Sequence, residues 1–340
     1  MKEGAVVNTE NLSLILAALL GAGGTALFLK LLIPALRRLR IGQRILADGP
    51  VWHKKKEGTP TMGGVAFDAV IPLLFAMFSL ILALDEGFGS VLDSSAFWVT
   101  VYALGCGLCG MVDDLFKLRR RENKGLSAIQ KYLALLFVTV VFLFGMNRFC
   151  GLGTSIYIPF VHVTVDWGIF FWIFAVILLT GTVNAVNLTD GVDGLCGSVT
   201  AAVLLFFFAV SIFHEKTSLA LLSAVAFGGC MGFIVFNLHP AAVFMGDTGS
   251  LFLGALVSGL AFAIGSPLCL FIIGFVYMLE ALSVILQVLV FKTTGKRLFR
   301  MSPFHHHLEK CGWSENRIVG VFTALTAVLG AVYFLFEVMA

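Results

Sequence analysis

The sequence predicts an all-α polytopic membrane protein of about ten transmembrane helices, forming one integral membrane domain over residues 1–340. Three observations predict it. The chain is 59% hydrophobic and 13% charged, with a mean hydropathy of +0.97, whereas a soluble domain is about half apolar and about a quarter charged. Its apolar residues fall in runs of roughly 20, the length a helix needs to cross a bilayer. Its basic residues are segregated by connection. The first connection carries seven Lys and Arg, the third five and the ninth six, against only Arg148 and Lys216 in all the even ones. The positive-inside rule then puts the odd connections in the cytoplasm, and ten spans leave both termini outside.

The expected spans are 12–36, 64–84, 96–116, 128–146, 166–185, 194–213, 217–236, 249–264, 267–290 and 317–339. Lys2 precedes a long apolar run without a cleavage site, so the first run reads as a retained span. Gly265, Ser266 and Pro267 mark a tight connection between the eighth and ninth. Cys106 and Cys109 form a C-x-x-C inside the third run. With no second pair, they read as small packing residues rather than a metal or redox site. The fourth connection differs from the rest. Its β-branched stretch near 154–165 predicts a short hairpin in the outer loop, with Pro159 near the turn and His162 on its surface.

The other polar clusters all fall on the side that carries the basic residues. In the first connection, Lys54 to Lys56 suit anionic headgroups. Thr59-Pro60-Thr61 followed by Gly63 and Gly64 instead supplies hydroxyls and bare backbone for close approach to a ligand. Lys56 and Thr61 are the candidates there. The third span ends in Asp113-Asp114-Leu115-Phe116-Lys117. Asp113 and Lys117 lie one helical turn apart, but an ion pair alone leaves two adjacent acids unexplained. Adjacent acids bind a cation or perturb one another.

The fifth connection, Asn184 to Gly194, has no basic residue but is rich in side-chain oxygens: Asn184, Asn187, Thr189, Asp190 and Asp193, with Gly191 in the turn. It fits no EF-hand pattern. Its amides and carboxylates suit either a cation or a nucleobase and ribose. The seventh connection offers Asn237, Phe244 and then Asp247 between Gly246 and Thr248. An acid at a membrane boundary is costly, and a hard cation such as Mg²⁺ takes oxygen ligands. The ninth holds His305, His306 and His307. Consecutive side chains on a helix diverge, so phosphate contact suits them better than one shared zinc. Glu280 and Gln287 lie inside the ninth span and acquire no step. Acids for Mg²⁺, Lys and His for phosphate and amides for a polar head are what phosphoryl transfer between a cytosolic compound and a membrane lipid requires.

The motifs GTPTMGG at 58–64, DDLFK at 113–117, NAVNLTDGVDGL at 184–195, FMGDTGS at 244–250 and SPFHHHLEKCGW at 302–313 resemble those of the polyprenyl-phosphate N-acetylhexosamine-1-phosphate transferases. The resemblance runs the whole length, and the His-His-His run with its downstream Gly-Trp favours the muramoyl-pentapeptide branch. It implies transfer of phospho-MurNAc-pentapeptide from UDP-MurNAc-pentapeptide to undecaprenyl phosphate, giving lipid I and UMP at the cytoplasmic face of a bacterial cell membrane. It suggests Asp247 as the Mg²⁺ ligand and Asp113 and Asp114 as catalytic acids, with Lys56, Thr61, Lys117 and His305 on phosphates or the transition state. Asn184, Asn187, Asp190, Gly191, Asp193, Asn237, Phe244 and His306 would line the substrate pocket. It also implies a homodimer.

Three rival readings are weighed against it. One is a relative that uses UDP-GlcNAc. Another is a membrane prenyltransferase, but its Asp pairs are spaced differently. The third is a proton-coupled transporter, which needs polar residues at mid-span in several helices. Nothing in the pattern supports nucleic-acid binding.

Overall fold

The computed structural model describes residues 9–39, 42, 56, 58–86, 95–120, 125–158, 161 and 163–339. In order, the helices are α1 (Thr9–Arg38), α2 (Val65–Glu86), α3 (Ser95–Arg120), α4 (Ala128–Cys150), α5 (Ile169–Thr189), α6 (Leu195–Phe213), α7 (Thr217–Asn237), α8 (Gly246–Ile264), the single turn α9 (Leu270–Ile273), α10 (Phe275–Thr294), α11 (Phe304–Lys310) and α12 (Glu315–Met339). Among the described residues, nine helices are long and apolar enough to cross a membrane, namely α1, α3 to α8, α10 and α12. The apolar stretch Val65–Ile81 of α2 is shorter. The whole of α2, at 22 residues, nevertheless rises about 33 Å at 1.5 Å per residue, so it matches the expected span 64–84 and completes the ten.

The bundle is organised around α8. Of its span, 94% is buried inside the protein, and α2, α3, α5 and α6 all pack on it. Outside that centre α1 packs on α7, which packs on α6, which carries α12. Small residues allow the α1–α7 approach: a Cβ on Gly228 or Gly232 would meet the backbone at Ala18 or Ala22. Association of this kind in lipid depends on close packing rather than on a hydrophobic drive. Aliphatic side chains on the outer faces of α1, α4, α5, α10 and α12 remain exposed, as a lipid-facing surface requires.

The helices alternate in direction. Contacts described below bring the C-terminal ends of α3, α5 and α7 together with the N-terminal ends of α2, α4, α8 and α12. We call this end of the bundle the site face. At the far face His214 bonds Glu337 at 3.0 Å, Ser266 bonds Tyr333 at 2.9 Å, and Lys216 caps the C-terminal carbonyls of Ala263 and Ile264 at 2.9 and 3.0 Å.

The predicted hairpin is present. β1 (Ser155–Ile158) pairs antiparallel with β2 (Val163–Asp166), with Ser155 opposite Asp166 and Ile158 opposite Val163. Pro159 and His162, and likewise Lys54 and Lys55, lie outside the described residues.

Three boundaries differ from the expected ones, and each matters for the site. Helix α8 begins at Gly246, so Asp247 belongs to its first turn rather than to the preceding connection. There its charge complements the helix N-terminus. Helix α5 runs on to Thr189, which puts Asn184 and Asn187 on the helix and leaves only residues 190–194 as the turn. The ninth span is broken: a 3₁₀ turn from Pro267 and the short α9 precede Gly274, and α10 starts at Phe275.

Candidate active site

The centre of the site face is a cluster of three carboxylates. Asp113, Asp114 and Asp247 each offer an oxygen within 4.8 Å of the others. Helix periodicity places Asp113 and Asp114 at the C-terminal end of α3, with Lys117 one turn on. Lys117 Nζ lies 2.7 Å from Asp113 Oδ2, 3.7 Å from Asp114 Oδ1 and 2.8 Å from Asp247 Oδ2. The ion pair within α3 and the long-range contact therefore coexist.

A second ammonium comes from α4. Its N-terminus is fixed by a capping box between Ser127 and Gln130, and Lys131 then reaches Asp247 Oδ2 at 2.9 Å and Asn187 Oδ1 at 3.5 Å. Asn187 donates to Asp247 Oδ1 at 2.8 Å and to Ser250 Oγ at 2.7 Å, so the two oxygens of Asp247 are held from three helices, α3, α4 and α5.

The two adjacent acids are held differently. Asp114 Oδ2 accepts from the Thr248 amide at 3.0 Å and its hydroxyl at 2.8 Å, while Oδ1 accepts from the Asp247 amide at 3.3 Å. It caps α8, whose first amides would otherwise lack partners. Asp113 Oδ1 accepts from the Leu126 amide at 2.6 Å.

Gly246 is required between these groups. Its φ is +75°, and a side chain there would fall 2.7 Å from Asp114 Oδ2 and 3.2 Å from Thr61 Oγ1. Thr61 is thereby placed beside the acids. The segment around it is laid against the α8 entry by backbone bonds: Phe244 N to Pro60 O at 2.8 Å, Gly63 N to Phe244 O at 2.8 Å and Gly64 N to Met245 O at 2.9 Å. Phe244 is therefore tied in place through its backbone.

Lys56, Asp193 and Asn237 form a second cluster. Lys56 Nζ sits 2.7 Å from Asp193 Oδ1 and 2.7 Å from Glu315 Oε2. His239 Nδ1 lies 3.0 Å from Asp193 Oδ2 and 3.4 Å from Glu315 Oε1. Asn237 Oδ1 accepts from the Gly194 amide at 3.0 Å, and its Nδ2 donates to Val243 O at 2.9 Å. Asp193, His239 and Glu315 have cation-ligand spacing, but the Lys56 ammonium already supplies their cation. This cluster ties together the first connection, the α5–α6 turn, the end of α7 and the start of α12.

Asp190 lies in the turn between the clusters. Burial, and then the charges of Asp247, Asp114 and Asp193, push its carboxyl well above the usual carboxylate range, while the Gly246 amide pulls the other way. Asn184 does not join either cluster. Its Nδ2 donates to Thr180 O on its own helix at 2.8 Å.

The three histidines diverge as expected. His305 is fully buried and points its ring at Gly191, where an added Cβ would strike Nε2. His306 Nδ1 bonds Glu309 at 2.6 Å, and His307 Nδ1 accepts from the Arg300 amide at 3.2 Å. Gln287 also has a partner: its Oε1 accepts from the Leu298 and Phe299 amides at 3.1 and 2.8 Å, pinning the loop after α10. All seven cysteines, Cys106 and Cys109 included, are free.

Sequence reasoning missed Lys131, Ser250, His239 and Glu315. Lys131 had a signal, a charge inside an apolar run. Ser250 lay within the motif at 244–250 and His239 beside Asn237, whereas Glu315 had no signal, because its partners are distant in sequence. It also missed Asp68 in α2, whose two carboxylate oxygens are buried without a hydrogen-bond partner among the described residues.

Three carboxylates and two ammonium groups at one end of an all-helical membrane bundle place the chain among membrane transferases of phosphosugars. Accordingly, residues 96–265 match the glycosyl transferase family 4 model. Residues 56–67 match the phospho-N-acetylmuramoyl-pentapeptide-transferase signature 1. The phospho-N-acetylmuramoyl-pentapeptide-transferase of Clostridium kluyveri is 44% identical over 306 residues, covering 90% of this chain and 93% of the relative. The enzyme of that name from Bacillus velezensis is 45% identical over 304 residues, covering 88% and 91%. The one from Carboxydothermus hydrogenoformans is 42% identical over 307 residues, covering 88% and 91%. The chain belongs to the phospho-N-acetylmuramoyl-pentapeptide-transferase family.

Proposed function

We propose that the protein transfers phospho-MurNAc-pentapeptide from UDP-MurNAc-pentapeptide to undecaprenyl phosphate, giving lipid I and UMP in peptidoglycan synthesis. The observation that carries this reading is the Asp113–Asp114–Asp247 cluster with its two lysines, at the membrane boundary that also bears the Asn187–Gly194 turn. The relatives' names and the signature over residues 56–67 support it.

The donor set suits a hard divalent cation. Its candidate ligand atoms are all carboxylate oxygens, clustered within 4.8 Å, the chemistry Mg²⁺ selects over nitrogen or sulfur. Asp247, the most accessible of the three acids, would hold the ion with Asp113 beside it. When bound, Mg²⁺ would offset charge on phosphate oxygens.

The chain's own groups do the rest. Lys117 and Lys131 stand over Asp247, ready to exchange a carboxylate contact for a phosphate one. Asp114 is consumed in capping α8, so its role is to hold Asp247. Asp113 is the acid left to orient or deprotonate the lipid phosphate. In the direct route a lipid phosphate oxygen bonds to the β-phosphorus as the bond to the UMP oxygen breaks, and UMP leaves. No protein nucleophile is needed. The basic connections and the site share one face, so that face is cytoplasmic and both termini are outside. Two copies associate as a homodimer.

The test is UMP release by the purified protein in detergent with undecaprenyl phosphate and Mg²⁺, comparing UDP-MurNAc-pentapeptide with UDP-GlcNAc. Release with the first alone, abolished by EDTA, is expected. Release with the second alone moves the protein to the GlcNAc-1-phosphate branch.

A further inference from the structure

We propose that Arg317 and Trp313 form a binding site for an anionic phospholipid at the site-face edge of the bilayer: the Arg317 guanidinium takes the headgroup phosphate, and an acyl chain runs down the outer stripe of α12. The inference does not depend on the reaction proposed above.

The register of Arg317 comes first. It lies in the first turn of α12, at the site face. At 3.6 residues per turn, Val321, Val328, Val332, Leu335 and Met339 fall within about 60° of it around the helix. All five are exposed, on a helix long and apolar enough to cross a membrane. The buried residues of α12, among them Val319, Thr326 and Tyr333, lie on the opposite side. Arg317 therefore stands at the head of a lipid-facing stripe. Glu315, which faces Lys56 and Asp193, is about 160° away around the helix, so Arg317 points away from the candidate active site.

The local structure fixes the side chain. Ser314 caps α12: its Oγ accepts from the Arg317 amide at 3.3 Å and its carbonyl from the Ile318 amide at 3.1 Å. The Trp313 amide bonds Leu308 O at 3.1 Å, which anchors the indole at the end of α11. The guanidinium carbon of Arg317 then sits 4.1 Å from the centre of the Trp313 ring. Stacking covers one face of the guanidinium and leaves its N–H edge for a phosphate, which that planar fork matches with two bonds. Tryptophan itself sits at headgroup level in membrane proteins.

Charge selects the occupant. Among the described residues the guanidinium forms no ion pair, and the nearby acids are taken: Glu315 by Lys56 and His239, Glu309 by His306. The α12 dipole gives no reason for an arginine there, because its positive end repels one. Arg300 Nη1 donates to Lys310 O at 2.8 Å, which brings a second guanidinium to the same end of α11. Uncompensated positive charge above an apolar stripe complements a lipid that carries negative charge above its chains.

The test uses the full-length protein in detergent with phosphatidylglycerol or phosphatidylcholine of matched chains. Native mass spectrometry reads the lipid retained, and thermal unfolding reads the stabilisation that binding to the folded state gives. Wild type is expected to retain phosphatidylglycerol in preference and to gain more in midpoint from it. Arg317→Gln is expected to lose about tenfold in affinity for the tightest-held phosphatidylglycerol and most of that extra gain, with UMP release in detergent unchanged. Arg297→Gln is the control. Arg297 is exposed and has no ring beneath it among the described residues, so its variant is expected to keep the wild-type affinity.

Should Arg317→Gln not fold, Arg317→Lys decides in its place. It keeps the charge without the planar fork and is expected to lose about threefold in affinity. Equal retention by wild type and the deciding variant overturns the inference. So does an equal loss in Arg297→Gln, which would mean general surface charge, or loss of UMP release in Arg317→Gln, which would put Arg317 in the transfer site. Displacement of phosphatidylglycerol from Arg317 by undecaprenyl phosphate would assign the site to the acceptor lipid. A changed oligomeric state in Arg317→Gln with lipid retention intact would assign it to a second copy of the chain. Either result overturns the inference as well.

Discussion

At the Asp247 cluster three carboxylates face two lysines. At the Asp193 cluster two carboxylates share the Lys56 ammonium and the His239 ring. The residue types are nearly the same and the two lie on the same face, yet they are built for different work. In the first, Asp247 and Lys117 keep part of their surface, 16% and 33% of the side chain, and negative charge exceeds positive. In the second, Asp193 is 3% exposed, and its oxygens are filled by Lys56, His239 and the Ala241 amide. A reachable carboxylate can exchange partners with a substrate. An enclosed one whose oxygens are all bonded, as Asp193 is, holds chain segments in register.

The comparison breaks most sharply at Lys131. Lys131→Ala removes an ammonium from Asp247 and is expected to lower kcat on the order of a hundredfold, as loss of one preorganised electrostatic contact does, with the unfolding midpoint little changed. UMP release and differential scanning fluorimetry in detergent check the pair of statements.

Lys56→Ala should show the converse balance. It strands Asp193 and Glu315 against one another, and breaking a buried pair from one side costs about 3–5 kcal/mol. The unfolding midpoint is expected to fall well before turnover of the surviving folded fraction does. Denaturation followed alongside specific activity checks it, and equal midpoints for wild type and variant would sink the scaffold role of this cluster.

Asp68 sharpens the comparison from outside both clusters. It is a buried carboxylate with no hydrogen-bond partner among the described residues, lying against Gly107 of α3. Replacing it by Ala removes an unsatisfied group whose burial costs about 1–3 kcal/mol. Asp68→Ala is therefore expected to raise the unfolding midpoint and leave the KM for the nucleotide sugar unchanged. A lowered midpoint would show that the carboxylate has a partner in the folded protein.

The smallest effect belongs to the far face. Asp166→Ala removes the Thr154 and Gly168 contacts of an exposed hairpin and is expected to shift stability by less than about 0.5 kcal/mol, as exposed substitutions do. Turnover should be unaltered.

These contrasts also show what a linear sequence discloses. The spans were legible because hydrocarbon imposes a length and an apolar composition on each helix. The hairpin was legible from its β-branched residues. Asp113, Asp114 and Asp247 were legible because an acid at a membrane boundary requires a reason. What was not legible was pairing. Glu280 stood out but found its partner only when α11, 25 residues on, folded back over it. Lys56 read equally as a lipid contact until Asp193 and Glu315, 137 and 259 residues away, closed around it. Asn184 and Asn187 looked equivalent by spacing. The extra turn of α5 aims one at Asp247 and turns the other back to Thr180. Lys131 was hidden because, in a run of otherwise apolar residues, one lysine near a helix end is easily read as reaching to the interface.

The most direct test of the central claim is UMP release from UDP-MurNAc-pentapeptide by Asp247→Asn beside wild type, each titrated with Mg²⁺ and each checked for an unchanged unfolding midpoint. Asn keeps the shape and one acceptor oxygen while removing the charge. The predicted result is a folded protein whose turnover falls about a thousandfold, the loss of roughly 4 kcal/mol of transition-state stabilisation. Turnover within a few-fold of wild type at the same Mg²⁺ concentration would contradict the account and place the chemistry elsewhere on the site face.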